Sequence, residues 1–513
     1  GISDQEPWET IAKVNATPLG ACDQILFEKG GVWRETLVAG ADGAPDGYIT
    51  YSSYGSGENP RILGSDQSTG WMATGTSNVW QGTSTFAEDP HRPNHQYSNV
   101  WFELNSNGVV WGVYKQFDAS FTQLTQEFDW TYNNGTVYVY AEQSPEILYR
   151  SVEISQRHNC IVLNNKDYIE VNGIDLHYAA VSGIRDSYPT SPVTGLTVRN
   201  CNIGYFGVKN DPVAFGIYTW RNDLLVEDNE IHDAGRRGIS YFGTSSGGSV
   251  TFGNAVIQDN LFYNGWHTTA LDIIVESGSG HNIDGVIFRR NIIEEDPSIE
   301  RDGDSVPNSN HVFVADQSGE GSGTVRNIYI YNNVFENSPG SAIKTEYIIN
   351  LNVANNTFYK FNPHVSNFQS FVNVVGSLET DSSVNITNNI FYHNGVFTLN
   401  NNLQCIKLNP DIQGASTINY NLHHTEDTDA RIFTLYPPLQ SWTISTWDSY
   451  VSTLGYDADS PRPANPAFVS EPDDLHISDQ SDAKNAGTPI PWVTTDILGN
   501  VRDEIAPSLG AYE

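Results

Sequence analysis

The chain has 513 residues, enough to bury a large core, and carries 26 Lys and Arg against 61 Asp and Glu, a formal net charge of −35. This balance argues against a nucleic-acid partner, because phosphate binding needs a positively charged surface. It also repels polyanionic ligands at long range, unless cations or a local basic patch intervene.

Residues 1 to about 150 are rich in aromatic residues and in Gly and Asn turns, and most of their hydrophobic runs are predicted strands. The exception is PWETIAKVN, which begins at Pro7 and is the best helix candidate in the chain. We expect this helix to cap the open end of a stack of strands, since an unpaired edge invites aggregation. The stretch from Gly70 to about Glu142 is expected to form a β-rich insertion beside the first coils.

From about residue 160 to residue 396 one short pattern recurs: a hydrophobic run, an Asn, and an Ile or Phe two residues after the Asn. The copies are VEDNEI, IQDNLF, FRRNII, IYNNVF, VANNTF and ITNNIF, with Asn229, Asn260, Asn291, Asn333, Asn356 and Asn389 aligned, and Cys201 takes the Asn place in VRNCNI. Separations of 31, 31, 42, 23 and 33 residues indicate a near-constant unit with loops of variable length, as in a solenoid.

The hydrophobic runs in this region are short and alternating, which is typical of strands, and no segment has a sustained helical period. An Asn repeated at one corner can stack its amide from coil to coil and satisfy polar groups of the turn, although Asn also favours tight turns for simpler reasons. The pattern predicts an all-β chain, built as a right-handed parallel β-helix solenoid.

The repeats end near residue 410, and the C-terminal part is expected to contain one or two short helices near SWTISTWDSYVSTLG before the closing turns. No linker rich in Gly, Ser or Pro interrupts the chain, so we expect one continuous body. Its predicted parts are an N-terminal cap with the β-rich insertion (1–150), the coils that carry the active face (151–410), and the C-terminal coils and cap (411–513).

The four cysteines have no spacing typical of a metal site, and we expect free buried thiols, with a single disulfide as the alternative. They are Cys22, Cys160, Cys201 and Cys405. No apolar run approaches the length of a membrane span. The chain opens at GISDQEPW without a charged and apolar leader, so we expect a mature, secreted, monomeric protein from which an export signal has been removed.

Several segments together resemble the pectate-lyase-like family of secreted β-helix proteins. They are PWETIAKVN, DQILFEKGGVWRETL, ITYSSYGSGENPRILG, the Asn-containing coils, AKNAGTPI, DILGNVR and SLGAYE, and they span nearly the whole chain. The resemblance implies the fold but leaves the reaction open, because this superfamily includes polysaccharide lyases, glycoside hydrolases, epimerases and phage tailspikes. The motifs of polygalacturonases and of mannuronan epimerases are absent from the sequence.

Outward side chains of stacked strands form columns, so residues far apart in sequence become neighbours. One predicted strand per coil has an inward residue in the same place, namely Ile217, Ile239, Ile273, Val312 and Ile343. The predicted columns are Tyr218, Ser240, Ile274, Phe313 and Lys344; Trp220, Phe242, Glu276, Ala315 and Glu346, with Asp316 adjacent; and Gly216, Gly238, Asp272, His311 and Ala342.

Acidic residues in these columns are the candidate catalytic groups. Glycosidic cleavage needs one protonated and one ionised carboxyl group, and we expect Asp272 or Glu276 to pair with Asp316 or Glu346. His311 and Lys344 are expected to hold a carboxylate ionised or to contact an acidic sugar. The alternative is that all of these are ordinary solvated residues of one face.

Aromatic and basic residues nearby are candidates for substrate binding, because aromatic rings stack on sugars. They are Tyr218, Trp220, Arg236, Arg237, Phe242, Trp266 and His267, although a structural ion pair is an alternative role for the two arginines. The loop ERDGDSVPNSN is rich in oxygen ligands, and Glu300, Asp302 and Asp304 are a candidate Ca²⁺ site, with a solvated turn as the alternative.

The excess of carboxylates favours a glycoside hydrolase that acts on a polysaccharide and needs no cofactor. The first alternative is a polysaccharide lyase, in which Lys344, His311 or Arg236 is the base and Glu276 and Glu346 hold Ca²⁺. The second alternative is a solenoid that binds carbohydrate without catalysis. The sequence alone leaves the sugar and the linkage open.

Overall fold

The computed structural model describes residues 6–85, 99–187, 193–208, 213–243, 249–275, 280–296, 309–317, 324–361, 370–376, 382–394, 404–437 and 439–513. These residues form mainly short strands, which confirms the all-β prediction. The helices within them are α1 (Ile11–Asn15), α2 (Pro145–Leu148) and α3 (Trp447–Leu454), with 3-10 turns at Pro410–Ala415 and Ile444–Thr446.

The strands are short and succeed one another along the chain with few helices between them. The first are β1 (Gln24–Glu28), β2 (Val32–Trp33), β3 (Leu37–Val38), β4 (Ile49–Tyr54), β5 (Arg61–Leu63), β6 (Ser65–Gln67), β7 (Met72–Ala73), β8 (Val79–Thr85), β9 (Val100–Leu104), β10 (Val109–Trp111), β11 (Val113–Tyr114), β12 (Asp129–Asn133), β13 (Thr136–Tyr140), β14 (Tyr149–Ser155), β15 (Asn159–Val162), β16 (Ile169–Asn172), β17 (Asp175–His177), β18 (Ser182–Arg185), β19 (Val193–Arg199), β20 (Asn202–Phe206), β21 (Phe215–Thr219), β22 (Arg221–Glu227) and β23 (Glu230–Ala234). They continue with β24 (Arg237–Gly243), β25 (Thr251–Gln258), β26 (Leu261–Tyr263), β27 (Thr268–Val275), β28 (Asn282–Arg289), β29 (Ile292–Glu294), β30 (Asn310–Asp316), β31 (Thr324–Tyr331), β32 (Val334–Glu336), β33 (Ser341–Glu346), β34 (Ile348–Ala354), β35 (Thr357–Phe361), β36 (Ser370–Val375), β37 (Val384–Thr387), β38 (Ile390–Asn394), β39 (Gln404–Leu408), β40 (Ser416–Asn419), β41 (Leu422–Thr425), β42 (Arg431–Leu435), β43 (Gln440–Thr443), β44 (Phe468–Ser470) and β45 (Asp474–Ile477).

The chain divides into two compact units, which are described separately. Unit 1 comprises Gly1–Ser187, Cys201–Tyr218 and Asp233–Arg236. Unit 2 comprises Tyr188–Asn200, Thr219–His232 and Arg237–Glu513. The predicted division into 1–150, 151–410 and 411–513 stays a prediction.

Unit 1 contains parallel strand stacks in the orders β1-β4-β16, β2-β5-β17-β20 and β3-β15-β18-β21. It also contains the antiparallel sheet β10-β9-β14-β6 and the sheet β11-β12-β13-β8-β7, which is antiparallel except for the parallel pair β11-β12. The expected insertion supplies most of these strands and is therefore β-rich. Helix α1 packs on β3 through the buried residues Ile11 and Val14, and the Thr10 hydroxyl caps its first turn. The expected helix is confirmed, although it begins at Ile11 rather than Pro7.

Unit 2 is built from three parallel sheets, and each coil supplies one strand to each of them in turn. Sheet A is β19-β22-β25-β28-β31-β34-β37-β40, sheet B is β23-β26-β29-β32-β35-β38-β41, and sheet C is β24-β27-β30-β33-β36-β39-β42, which β43 extends antiparallel. This arrangement is the predicted parallel β-helix.

The repeated asparagines lie at the corner between sheets A and B and form the predicted ladder. The amide nitrogen of Asn229 donates to the Asn260 carbonyl oxygen at 2.9 Å, and this contact repeats to Asn291, Asn333, Asn356 and Asn389. Each amide also donates to a backbone carbonyl of the coil before it; for Asn229 this is the Val198 oxygen, at 2.9 Å. Because these side chains are buried, each ladder contact satisfies a group that water does not reach.

The ladder extends one coil beyond the sequence pattern, since the Asn421 oxygen accepts from the Asn389 amide at 3.1 Å. In unit 1, Cys201 keeps a weaker form of the contact, with its thiol 3.9 Å from the Val171 oxygen. The residue before each ladder position has a positive φ, for example 55° at Asp228, which turns the chain sharply into sheet B. The four cysteines, all within the described residues, form no disulfide, and Cys22 is exposed whereas the others are buried.

Inside the coils of unit 2, aromatic rings stack along the axis in the same way. The rings of Phe335 and Phe358 are 4.9 Å apart, those of Phe358 and Phe391 are 5.0 Å apart, and His423 continues the stack at 5.1 Å. These rings are buried, so the core is a continuous column of apolar contacts. Within the described residues, no helix is long and apolar enough to cross a membrane.

The residues after Leu454, which we call the C-terminal segment, cover other parts of unit 2. Its residues Leu475, Ile497 and Leu509 pack with Tyr359 and Tyr392 on the outer side of sheet B. Helix α3 lies in the stretch where short helices were predicted, and it ends at Gly455, whose φ of 69° is left-handed.

Candidate functional site

The register of sheet C determines which of the predicted residues meet. Ile239 lies opposite Leu271, and Ser240 lies opposite Asp272, so the predicted alignment of Ile239 with Ile273 is wrong. The cause is an irregularity between Arg237/Ile239 and the facing residues of β27, where β27 carries one additional residue. Matching strands by alternating apolar residues misses such a bulge.

The outer face of sheet C in unit 2 therefore has two columns that differ from the predicted ones. The first is Ser240, Asp272, Phe313, Lys344, Asn373 and Lys407, and the second is Phe242, Ile274, Ala315, Glu346 and Val375. Each residue is about 4.8 Å from the next one along its column. We call these two columns the sheet C face.

An ion pair occupies the start of the sheet C face. Arg237 Nε lies 2.6 Å from Asp272 Oδ2, and the aspartate side chain is fully buried whereas that of Arg237 is 11% exposed. The Ser240 hydroxyl donates to the same carboxylate oxygen at 3.4 Å, and the Arg237 guanidinium lies 5.9 Å from the ring centre of Phe242. Asp272 thus holds Arg237 in place, and only the arginine is open to solvent at this position.

A second ion pair lies two coils further along. Lys344 Nζ is 2.8 Å from Glu346 Oε1 and 5.3 Å from the centre of the Phe313 ring. The side chains of Lys344 and Glu346 are 15% and 27% exposed, so this pair is accessible to a ligand. The buried Phe313 ring lies between this ion pair and Asp272 on the first column.

Lys407, which sequence reasoning did not select, lies two coils beyond Lys344 on the same column. It is half-buried and points outward, because its neighbours Ile406 and Leu408 are fully buried. Burial and the positive charge of Lys344 lower the pKa of the Lys407 ammonium from its usual 10.5. Its Nζ also lies 5.0 Å from the ring centre of Tyr436.

The structure places two predicted catalytic residues away from the sheet C face. His311 is fully buried, and its ring stacks on the core residue Phe335 at 6.0 Å, so its predicted place on the outer face is wrong. Asp316 is 4% exposed and lies opposite Val275, in a buried column at the end of β30. His311 lies between the pairs Thr268–Asn310 and Leu271–Val312, where the register of β27 and β30 is irregular, so strand alternation does not predict its direction.

The predicted aromatic contacts are largely covered. Trp220 is fully buried, and Trp266 and Phe242 are 5% and 8% exposed. His267 is half-buried, with its Nδ1 3.0 Å from the Thr268 hydroxyl.

Other predicted residues belong to unit 1 or lie outside the described residues. In unit 1, Tyr218 is buried and stacks on Phe215 at 4.6 Å, with the Arg185 guanidinium 4.8 Å from its ring centre. Arg236 is also in unit 1 and is half-buried. Glu276, Glu300, Asp302 and Asp304 lie outside the described residues, so their predicted roles stay predictions. Within the part of the chain that the structure describes, no three His, Cys, Asp or Glu residues are grouped as metal ligands.

Sheet B carries a second outer column that sequence reasoning missed. Its members in unit 2 are His232, Tyr263, Glu294, Glu336, Tyr359, Tyr392 and His424. Rings stack on either side of the two glutamates, with His232 and Tyr263 4.7 Å apart and Tyr359 and Tyr392 5.3 Å apart. The alternation of inward and outward residues along β26, β29 and β32 could have predicted this column from the sequence.

The two glutamates of this column occupy adjacent coils. Burial, and then the charge of Glu294, raise the pKa of the half-buried Glu336 carboxyl from 4.5 to about 7, and burial also raises the pKa of Glu294. Glu336 is therefore partly protonated near neutral pH, and its neighbour Glu294 is the more exposed of the two. Such a pair can divide the roles of acid and base.

Comparisons with known proteins agree with the architecture. No protein-family model matches the sequence. No curated protein matches it either. Among solved structures, XylC in complex with xylose is similar at a TM-score of 0.52 and 13% identity, over 99% of this chain and 96% of that chain.

Two further structures are similar at lower scores. Pectate lyase Pel9A matches at a TM-score of 0.49 and 13% identity, over 100% of this chain and 92% of that chain. A glycoside hydrolase matches at 0.41 and 11%, over 80% and 86%. At these identities the likeness concerns the fold, and the chain has the right-handed parallel β-helix fold that the sequence predicted.

Proposed function

We propose that the sheet C face binds an anionic polysaccharide and cleaves it by β-elimination. The observation that carries the proposal is Lys407, an outward, half-buried lysine whose pKa is lowered by burial and by Lys344. In a chain with a net charge of −35, the three cations Arg237, Lys344 and Lys407 outnumber by one the two carboxylates that pair with Arg237 and Lys344, and this local positive balance favours an anionic ligand. The XylC structure, which has a similar fold, contains xylose, in keeping with a carbohydrate ligand.

Elimination next to a uronate carboxylate requires a base and a stabilised negative charge. The neutral amine of Lys407 removes the proton from the carbon beside the carboxylate. The electron pair that remains forms a carbon–carbon double bond as the glycosidic carbon–oxygen bond at the β position breaks. The leaving oxygen takes a proton from the Lys407 ammonium or from water, and Lys344 stabilises the charge that develops on the carboxylate.

The sequence favours hydrolysis because of its carboxylates, but Asp272 and Glu346 are both ion-paired on the sheet C face. These pairs support a different role for the two carboxylates, in which they hold the cations in place. When a uronate binds, it replaces Glu346 as the partner of Lys344.

Hydrolysis remains the second candidate, and the adjacent Glu294 and Glu336 on sheet B favour it. Their backbones are separated by one coil, about 4.8 Å, which is close to the roughly 5–5.5 Å separation of carboxyl groups in retaining glycosidases. Glu336, with a pKa of about 7, is suited to protonate the leaving oxygen, and Glu294 is then the nucleophile. The ring of Tyr263 provides a stacking surface beside them.

One assay separates the candidates. Polygalacturonate, alginate and neutral xylan are digested while ultraviolet absorbance of unsaturated product and reducing ends are followed together. If the protein cleaves a uronate polymer by elimination, both the ultraviolet absorbance and the reducing ends are expected to increase. K407A is expected to lower the rate of this cleavage by roughly 10²–10⁴-fold. The matched control K484A, at an exposed lysine of the C-terminal segment, is expected to keep the wild-type rate.

The outcomes are distinct. Reducing ends without unsaturated product, lost in E336Q and retained in K407A, would establish hydrolysis on sheet B. Unsaturated product at the wild-type rate in K407A would refute the role of Lys407. Binding of polymer without either signal would identify a non-catalytic carbohydrate-binding solenoid.

A further inference from the structure

A recess of about 320 Å³ lies in unit 2 between the outer face of sheet A and the C-terminal segment 488–492. This volume falls at the lower end of the roughly 300–1,000 Å³ typical of small-molecule sites. The recess belongs to sheet A, so it is separate from the sheet C face and from the glutamates of sheet B. We call it the sheet A recess.

The floor of the recess is polar and repeats with the coils. One column contains Asn352, Asn385 and Thr417 on three successive coils. The Asn385 amide nitrogen donates to the Asn352 oxygen at 3.0 Å, which orders both side chains and uses one donor and one acceptor of the pair. The next column begins with the small residue Ala354, which deepens the recess, and continues with Thr387.

The wall of the recess is formed by the aromatic side chain of Trp492, which other aromatic rings hold in place. Trp492 is 37% exposed, and its ring meets Tyr329 and Tyr331 edge to face at 5.2 and 5.0 Å. The segment is anchored at its other end, because the Thr488 backbone donates to and accepts from the side chain of Asn388 at 3.0 and 2.8 Å. The indole is therefore placed before any ligand arrives, which lowers the entropic cost of binding.

None of the eleven residues that line the recess is charged, in a chain with a net charge of −35. Amides and hydroxyls on the floor and an indole on the wall match a molecule with hydroxyl edges and an apolar face. A sugar ring has both, and the coil spacing of about 4.8 Å places one polar side chain after another along the floor.

We propose that the sheet A recess binds a neutral sugar unit of a polysaccharide and anchors the protein to it without taking part in cleavage. The ring lies against Trp492, and its hydroxyls exchange hydrogen bonds with Asn352, Asn385 and Thr417. The site extends the protein's contact with carbohydrate to a second sheet, and it does not depend on which reaction the protein performs.

Affinity electrophoresis in native gels that contain soluble arabinoxylan or barley β-glucan tests the proposal, with polygalacturonate as the charged comparison. At least one neutral polymer is expected to retard the wild-type protein. W492A is expected to lose at least about tenfold in affinity, equivalent to about 1.4 kcal/mol, and Trp492→Tyr to keep most of it. N385A provides a second test that leaves the wall intact, and Tyr114→Ala in unit 1, at a similarly exposed aromatic (38%), is the matched control.

Two results would overturn the proposal: no retardation of the wild type by either neutral polymer, or wild-type retardation of both W492A and N385A. Thermal unfolding of each variant confirms that it is folded. Cleavage of short soluble oligosaccharides by W492A is expected to proceed at the wild-type rate. The binding result can therefore be interpreted even if the catalytic proposal fails. The catalytic result can likewise be interpreted even if the binding proposal fails.

Discussion

Replacing Glu336 by Gln tests the raised pKa of this half-buried carboxyl group on sheet B. Because the pKa of Glu336 is raised from 4.5 to about 7, the folded chain binds this proton more tightly than the unfolded chain does. The stability from this proton is complete below pH 4.5 and is lost as the pH rises to about 7. The difference between the two pKa values corresponds to about 3 kcal/mol.

Gln has no proton to lose, so E336Q is expected to match the wild type near pH 4.5 and to exceed its stability by up to about 3 kcal/mol at about pH 8. For 513 residues this is a rise of about 3 °C in the thermal unfolding midpoint, measured by circular dichroism at both pH values. E294Q, which removes the second cause of the shift, is expected to give a smaller gain of the same sign. The exposed Glu504→Gln is the control, and an equal effect of E336Q at both pH values would refute the reasoning.

Further predictions concern the ladder and the sheet C face. N291A removes the acceptor of the Asn260 amide and the donor to the Ile257 oxygen. It is expected to lower the free energy of unfolding by about 3–5 kcal/mol, measured as a fall in the thermal unfolding midpoint. A change of the midpoint below 1 °C would contradict the role of the ladder. Arg237→Met removes the ion pair between Arg237 and the buried Asp272 and is expected to cost about 3–5 kcal/mol. The double variant with Asp272→Asn is expected to lose less. Lys344→Gln removes a charge that lowers the pKa of Lys407, so the alkaline rise of the elimination rate is expected to move to higher pH; an unchanged pH profile would exclude Lys407 as the base.

Some features of the site could be predicted from the sequence and others could not. Lys344 and Glu346 were predicted on one outward face, because strand alternation holds over β33, where no bulge intervenes. Lys407 was missed because the predicted columns end at β33, two coils before β39, and Glu336 was missed because the predicted columns cover only one of the three sheets. Both follow from the same period of two once the register is known.

The sequence by itself determined the coil. Asn229 and its repeats fix the corner between two sheets, since a buried amide that bonds to the next amide works only when the coils are stacked in register. Only the tertiary structure decided the rest. The bulge in β27 brought Asp272 into line with Ser240. It also interrupts the register beside His311, whose ring stacks on Phe335 in the core, and the C-terminal segment brought Trp492 to sheet A. Such contacts join residues far apart in the chain, and their register depends on packing that no local pattern encodes.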